Sequence, residues 1–448
     1  MLKKIMAYGI ILLILVPSLL VGVITIVGLY QKSQEPPKTY LNLDRQEVRG
    51  TLGELETIDK NHEGMELEEL ISRFEKEPSN PTLGLALALR YLNEWEFERA
   101  LDTTQLVIDS GQSLDDAYAV QGLVYCQRWR YPADELGEST NERDLRLALD
   151  SLSKALETNP KHREARCVSA FVQARLGNYD KGLEIVNQVL LNDDRLAIAY
   201  MYKGDIYWGT VSDPSYSVNE YKKAYYYNPS NYYPPARFAW VVFQKINYEL
   251  CGQRDKNVDM PESRRDLINN SLRVCDSLLS ESLAINPKYY PSLIMRAYCK
   301  EINGQYESAM RDLKNAYDIR PTLWGLYEMM STCNLSCEPD GVRQYGEMLI
   351  QIAPENKDTY TMYANMLQLV AEYQASVEIA DRGVAIAPDY SDLYVVRGIS
   401  YKGLHEYAKA AADFERALEL GTTTTPEHLR ANIEYYRENG RMKHDHEK

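Results

Sequence analysis

The sequence predicts an all-α chain in which a solenoid of helix-turn-helix repeats follows one transmembrane helix. Two observations predict this fold: an uncharged apolar run near the N-terminus, and small residues that recur at a fixed spacing along the rest of the chain. The composition agrees, because 45% hydrophobic and 26% charged residues are typical of a folded chain. The formal net charge of -15 disfavours a sequence-independent grip on phosphate backbones, so nucleic acid is not an expected partner.

The N-terminal segment has the length and composition of a membrane anchor. Residues 5–30 form a run of 26 residues without a charge, whereas about 20 apolar residues suffice to cross a bilayer. We therefore expect residues 1–30 to be a transmembrane signal-anchor. A cleaved signal peptide is the alternative, because Lys3 and Lys4 precede the run. Cleavage is disfavoured, since signal cores usually span only about 7 to 15 residues and no A-x-A-like site follows this run.

The orientation of this helix follows from its flanks. Basic residues lie on both sides, but a short tail with Lys3 and Lys4 ahead of a long acidic domain favours export of that domain. We expect a single-pass membrane protein whose repeat domain is periplasmic or extracytoplasmic, with the cytoplasmic side as the alternative. Residues 31–64 contain Pro36 and Pro37 and many charges without apolar periodicity, which predicts a linker or stalk.

Small residues recur along the remainder of the chain with successive spacings of 34, 48, 34, 35, 58, 34, 33 and 34. They are Ala88, Gly122, Ala170, Gly204, Ala239, Ala297, Ser331, Ala364 and Gly398. The two long spacings equal 34 plus 14 and 34 plus 24 residues. We predict about nine repeats over residues 65–439, with a helix ahead of them at 66–77, a polar closing helix at 425–439 and a polar tail at 440–448.

Each repeat also has an internal pattern. After the first small residue, a second follows twelve positions later, a third seven later and a proline five beyond that, as in Ala297, Ala309, Ala316 and Pro321. With period and internal spacing in agreement, the chain resembles the tetratricopeptide repeat family over roughly residues 80–438. The resemblance implies a right-handed α-solenoid whose first helices line a concave groove that binds peptides or partner helices. Small side chains would let the paired helices approach closely.

Candidate groove residues follow from counting along the first helix of each repeat. The count selects an aromatic set with one carboxylate: Phe171, Asp205, Trp208, Trp240, Phe243 and Tyr298. Carboxylates near the helix starts are Asp116, Glu164, Glu328, Asp358 and Asp392. The obvious cations at groove positions are Arg175 and Lys402. Such a groove suits a partner segment with apolar anchors and some basic charge. The alternative is that these aromatic residues belong to the core.

The two insertions lie near residues 129–143 and 247–270, each between the two helices of its repeat. They are interpreted either as a docking element or as lengthened helices with a tolerated loop. Cys333 and Cys337 lie four residues apart, so a disulfide and a free pair are both open.

Motifs for catalysis and metal binding are absent from the sequence. It contains no HExxH or Cys-x2-Cys spacing, no Gly-rich phosphate loop and no nucleophile elbow. We expect no enzymatic activity, no metal and no small-molecule cofactor. The function predicted is a membrane-tethered adaptor or scaffold for protein partners. The alternatives are a structural accessory subunit of a permanent membrane complex and a regulatory partner of a separate enzyme.

Overall fold

The computed structural model describes residues 51–130, 142–210, 213–251, 262–422, 429, 430, 433–435 and 437. In these residues the regular structure is helical apart from one parallel bridge between Thr51 and Leu196. The chain forms two compact units, which divide after Asn303. Unit 1 contains α1 (Glu54–Asn61), α2 (Leu67–Lys76), α3 (Pro81–Asn93), α4 (Phe97–Asp109), α5 (Leu114–Arg130), α6 (Glu142–Thr158), α7 (Arg163–Arg175), α8 (Tyr179–Asn192), α9 (Ala197–Thr210), α10 (Ser215–Tyr227), α11 (Tyr233–Cys251), α12 (Glu262–Ile285) and α13 (Tyr290–Ile302). Unit 2 contains α14 (Tyr306–Ile319), α15 (Leu323–Ser336), α16 (Pro339–Ile352), α17 (Lys357–Leu369), α18 (Tyr373–Ile386), α19 (Ser391–Gly403) and α20 (Tyr407–Glu419).

The prediction of an all-helical repeat fold is confirmed. In unit 1, α3 packs on α4, α5 on α6, α7 on α8, α9 on α10 and α11 on α12. In unit 2, α15 packs on α16, α17 on α18 and α19 on α20. Each second helix also contacts the next first helix within its unit, and several first helices contact one another, as α3, α5, α7 and α9 do in series. We term the layer of first helices α3, α5, α7, α9 and α11 the inner face of unit 1.

A recurring backbone turn joins the two helices of a repeat. The residue seven positions after the small residue has a positive φ in five repeats: Trp95 (65°), Gly177 (93°), Gly304 (73°), Ala371 (64°) and His405 (62°). After Trp95, Gly177, Ala371 and His405 the next amide donates to a carbonyl five residues back, as from Glu372 to Leu367 at 2.8 Å. This is the Schellman arrangement, which satisfies the last carbonyls of the first helix. Two of the five positions carry glycine, which adopts this conformation at little cost.

Close helix contacts explain the small residues. A Cβ on Gly204 would lie 2.7 Å from the ring of Tyr221, and one on Gly182 would lie 2.5 Å from the carbonyl oxygen of Ala170. The second contact is with the backbone of the facing helix, which cannot rotate away. The close approach of α7 and α8 therefore depends on glycine at position 182.

Gly182→Ala is expected to destabilise unit 1 by about 1–3 kcal/mol, because the added methyl group forces α8 away from α7. The exposed neighbour Lys181→Ala provides the matched control on the same helix. Chemical denaturation followed by far-UV circular dichroism measures both. Equal stability of the two variants would contradict the contact.

Tyrosines have a repeated structural role. Tyr200, Tyr360 and Tyr394 each lie four positions before the small residue of their repeat. Their hydroxyl groups donate to the carbonyl oxygens of Asp194, Pro354 and Pro388, at 2.9, 2.8 and 2.9 Å respectively. Each bond ties a first helix to the turn that precedes it. Part of the large tyrosine content of the chain, 35 residues, is thus explained by the repeat itself.

The segments that flank the repeats contain helices, one of which was not expected. The helix expected at 66–77 is present as α2, and residues 429, 430, 433–435 and 437 of the expected closing helix are helical. The expected linker is corrected, because residues 54–61 of it form α1 and Leu55 is buried. Helix α1 was not predicted because one apolar residue per turn gives no periodic pattern. The burial of Leu55 depends on contacts with residues distant in the sequence. The expected transmembrane segment lies outside the described residues, and none of the described helices is long and apolar enough to span a bilayer.

The insertions are accommodated largely by longer helices. Around the first insertion α5 and α6 have 17 residues each, and around the second α11 and α12 have 19 and 24 residues, against 13 or 14 in most other helices. The remaining inserted residues, 131–141 and 252–261, lie outside the described part of the chain. Cys333 is buried and Cys337 exposed, and the two do not form a disulfide with each other.

Candidate partner-binding groove

A buried carboxylate on the inner face of unit 1 gathers side chains from several helices. Asp205 on α9 is 0% exposed and accepts hydrogen bonds from Arg130 at 2.8 Å and Arg237 at 3.1 Å. The hydroxyl groups of Tyr221 and Tyr233 donate to the same carboxylate at 2.7 and 2.6 Å. The first helices α5, α9 and α11 and the second helix α10 are thereby joined at one point. Such a network is stabilising because the buried carboxylate accepts hydrogen bonds from four side chains.

Electrostatics keep this carboxylate ionised. Burial opposes the charged form of Asp205, but Arg130 and Arg237 outweigh burial and lower its pKa to about 2. Burial likewise opposes the charge on Arg237, and Tyr221, Tyr233 and Asp205 reverse that effect, so its pKa is raised well above the usual range. Asp205 and Arg237 are therefore both charged at neutral pH. The pair is a buried ion pair whose partners depend strongly on each other.

A third guanidinium group lies beside this network. Arg175 on α7 donates to the backbone carbonyl of Asp205 at 3.0 Å and stacks over the ring of Phe171 at 4.9 Å. Burial lowers the pKa of Arg175, and Arg130 and Arg237 lower it further while Asp205 opposes them. No carboxylate among the described residues forms an ion pair with Arg175, and its Nε atom is buried without a hydrogen-bond partner there. The side chain is thus held in an unfavourable environment for its charge.

The predicted groove residues lie in two separate parts of unit 1. Phe171, 1% exposed, lies under Arg130 at 4.7 Å and under Arg175, close to Asp205. Trp208 follows Asp205 by three positions on α9 and is half-buried.

The other three candidates, Trp240, Phe243 and Tyr298, belong to the apolar cluster of α11, α12 and α13. There Phe243 is 4% exposed and stacks on Tyr298 with ring centroids 6.1 Å apart. Phe243 therefore contributes to the core, while Trp240 and Tyr298 are half-buried at its edge.

The Asp205 network adds arginines to the acidic residues expected along the groove. The sequence suggested acidic edges and a basic partner, yet in the described residues one carboxylate faces three arginines at the Asp205 network. Of the expected acidic residues, Glu164 is buried and Asp116 lies 3.2 Å from His162. Local neighbours therefore determine the charge of the inner face, which the overall excess of acids does not reveal.

Sequence reasoning identified Arg175 but missed Arg130 and Arg237. Arg130 lies at the end of α5, which the insertion lengthens beyond the usual repeat helix, so no groove position is counted there. Arg237 lies two positions before the small residue Ala239, whereas the count takes groove positions only after that residue. A buried acid one position after a small residue, as at Asp205, was the available signal that cationic partners must lie nearby.

Comparison with known proteins gives no family for this chain. No protein-family model matches the sequence, and no curated protein matches it. A structure of the human IFIT1 dimer with PPP-AAAA is similar with a TM-score of 0.45 and 13% identity, over 80% of this chain and 78% of that chain. PilF of Pseudomonas aeruginosa has a TM-score of 0.38 and 16% identity, over 58% and 97%. YrrB, a TPR protein with an unusual peptide-binding site, has a TM-score of 0.31 and 11% identity, over 46% and 93%.

The successive helix pairs of the chain itself define its class: an all-helical repeat chain that resembles tetratricopeptide proteins. At identities of 11 to 16% these similarities concern the helical-repeat architecture alone. What this chain binds has to be argued from its own residues.

Proposed function

We propose that this chain is an adaptor that binds segments of partner proteins on the inner face of unit 1. The observation that supports this is Arg175, a half-buried cation that has a buried Nε atom and no carboxylate in an ion pair with it among the described residues. Burial, Arg130 and Arg237 all disfavour the charge of Arg175, and Asp205 only partly offsets them. Charged groups with perturbed pKa values cluster at functional sites.

The geometry favours a partner segment that carries a carboxylate beside apolar side chains. An incoming carboxylate can form charge-assisted hydrogen bonds with Arg175 and offset the cost of burying its charge. Phe171 beneath the arginines and the half-buried Trp208 on the same face supply apolar and aromatic surface. The expected partner is therefore acidic and apolar at this point, in place of the basic segment that the sequence suggested.

The same proposal includes the membrane tether. Residues 1–30 would hold the adaptor at a bilayer, with the repeats on the exported side and no catalytic activity of their own. The support is the run of 26 uncharged residues and the lack of catalytic motifs in the sequence. Labelling from a C-terminal tag, with reagents restricted to one compartment, tests the side of the membrane. Labelling only in the cytoplasm would overturn the proposed orientation.

Arg175→Gln is expected to abolish most partner capture while leaving unit 1 as stable as before, or more stable by about 1 kcal/mol. Glutamine keeps much of the side-chain length but removes the opposed charge. The full chain is affinity-purified from its native host after chemical cross-linking, and recovered partners are quantified by mass spectrometry beside a thermal melt.

The matched control is Arg166→Gln, on the same helix but bonded to Gln188 of α8 at 3.1 Å. Unchanged capture by Arg175→Gln, with loss in the control, would contradict the assignment. If capture is unchanged in both variants, the accessory-subunit or regulatory alternatives gain support, because their contacts need not involve the inner face.

A further inference from the structure

The segment that precedes the repeats packs across the inner face of unit 1. Helix α1 contacts the first helices α3, α5 and α7. Ahead of it, the amide of Thr51 donates to the carbonyl of Arg195 at 3.0 Å, and its hydroxyl donates to Asp193 at 3.1 Å. After it, Arg90 donates to the carbonyl of Met65 at 3.0 Å. The segment therefore spans several repeats of unit 1 although it belongs to none.

The start of α1 is held by a carboxylate from the repeats. Glu164, at the start of α7, accepts hydrogen bonds from the amides of Leu55 and Glu56, the latter at 3.2 Å. In return Glu54 accepts from the side chain of Arg163 at 2.9 Å. The first-turn amides of a helix have no partners within it, so a carboxylate placed there acts as a cap and complements the helix dipole.

Gly53 is required by this contact. A Cβ on Gly53 would lie 2.3 Å from Oε1 of Glu164 and 2.4 Å from its Cγ. Glu164 is 1% exposed and cannot easily move aside. Two further features hold the same turn: Leu55 is 4% exposed, and Asn228 donates to Glu56 at 3.2 Å. We term the site that Arg163, Glu164 and Asn228 form for α1 the seat. It recognises a specific pattern, in which glycine precedes an acidic first turn with an apolar residue at its second position.

Docking of α1 also has an unfavourable free-energy contribution. Burial raises the pKa of Glu56 and that of Glu164, and the neighbouring Glu56 raises the pKa of Glu164 further. An isolated helix of 8 residues is not stable in water, so α1 is helical only while docked. These features describe an interaction that is specific but readily reversed.

We propose that the segment from Thr51 to Asn61 is an internal ligand of the inner face, which a partner segment of similar pattern must displace. The proposal rests on the proposed adaptor function, because the segment matters for regulation only if the inner face binds partners. Residues 62–66 tether α1 to α2 and keep it close to its seat. A short flexible tether gives an effective concentration of about 1 mM. A segment that binds at about 10 μM in trans would then weaken a competitor about a hundredfold.

The test uses a fluorescent synthetic peptide with the sequence of residues 51–64 and the full-length chain. Gly53→Ala in the chain should open the seat, because the new methyl group cannot fit against Glu164. The peptide is then expected to bind Gly53→Ala about a hundredfold more tightly than the unaltered chain, as measured by fluorescence anisotropy. Lys60→Ala, on the exposed side of α1, should behave like the unaltered chain. A peptide that itself carries Gly53→Ala should bind neither protein.

Hydrogen exchange on the same proteins distinguishes release of α1 from unfolding of the repeats. We expect Gly53→Ala to lose protection over residues 54–61 alone. Equal peptide binding by Gly53→Ala and the unaltered chain, or no binding by an opened seat, overturns the proposal. So does unchanged protection of residues 54–61 in the variant. Loss of protection throughout α3 to α13 would show that the segment is part of the core. Failure of this test leaves partner capture through Arg175 unaffected, so the two proposals fail separately.

Discussion

Replacing Asp205 with alanine is expected to destabilise unit 1 by about 3–5 kcal/mol, because it leaves buried guanidinium groups without their carboxylate. Arg130 and Arg237 are 11% and 17% exposed in their side chains, so water cannot substitute for the lost partner. Tyr221 and Tyr233 lose an acceptor at the same time. Urea denaturation followed by tryptophan fluorescence measures the effect, since four of the five tryptophans precede residue 304.

Two further variants separate charge from shape. Asp205→Asn keeps the size of the side chain and one acceptor but removes the charge, and we expect an intermediate loss of stability. Asp180→Ala removes an exposed carboxylate from α8 and should change stability by less than about 0.5 kcal/mol. If Asp205→Ala is as stable as Asp180→Ala, the network does not hold the helices together.

The pH dependence follows from the same network. The pKa of Asp205 is lowered to about 2 in the folded chain from an ordinary value of 3.8. A lowered pKa means that the unfolded state binds the proton first, so this stabilisation is fully present above about pH 4 and is lost as pH falls towards 2. Asp205→Asn should therefore show a shallower fall in stability over this range than the unaltered chain.

The second large effect is expected in unit 2. Phe414→Ala should destabilise the end of the repeat array by about 3–5 kcal/mol, because it removes a large buried side chain from the contact between α19 and α20. Phe414 is 1% exposed and packs so closely on α19 that a Cβ on Gly398 would lie 2.7 Å from its ring. Leu429 and Ile433 belong to the same apolar cluster.

The loss from Phe414→Ala should be local. In a repeat array each element contacts its neighbours, so hydrogen exchange should increase in α19, α20 and the helical residues that follow, before it increases in α14 to α16. Lys402→Ala, which changes an exposed residue of α19, serves as the control. Uniform loss of protection across unit 2 would show that the array unfolds as a single cooperative block.

The spacing of small residues was sufficient to predict the repeat helices. Gly122, Gly204 and Gly398 all lie at helix contacts where a Cβ would come within 3 Å of a neighbour, so sterics dictate their spacing. The turns were harder to predict, because Trp95, Ala371 and His405 adopt a positive φ that usually signals glycine. There the repeat geometry overrides the preference of the individual residue.

The candidate site was predicted only in part. Phe171, Asp205 and Arg175 come from a count along the repeat and lie together in the structure. The partners of Asp205 on neighbouring helices depend on how repeats stack, which a single sequence does not specify. Docking of α1 escaped prediction for a similar reason, since Gly53 and Glu164 meet across 111 residues of chain.

The central claim is that the inner face of unit 1 binds protein segments, and site-specific photo-cross-linking in the native host tests it most directly. A photoreactive amino acid is placed at Trp208 on the inner face or at Leu191, which is 85% exposed on the second helix α8. We predict cross-links from position 208 to a restricted set of acidic partner segments, few from position 191, and loss of the former in the Arg175→Gln background. Equal cross-linking of the same partners from both positions, with no effect of Arg175→Gln, would contradict the account.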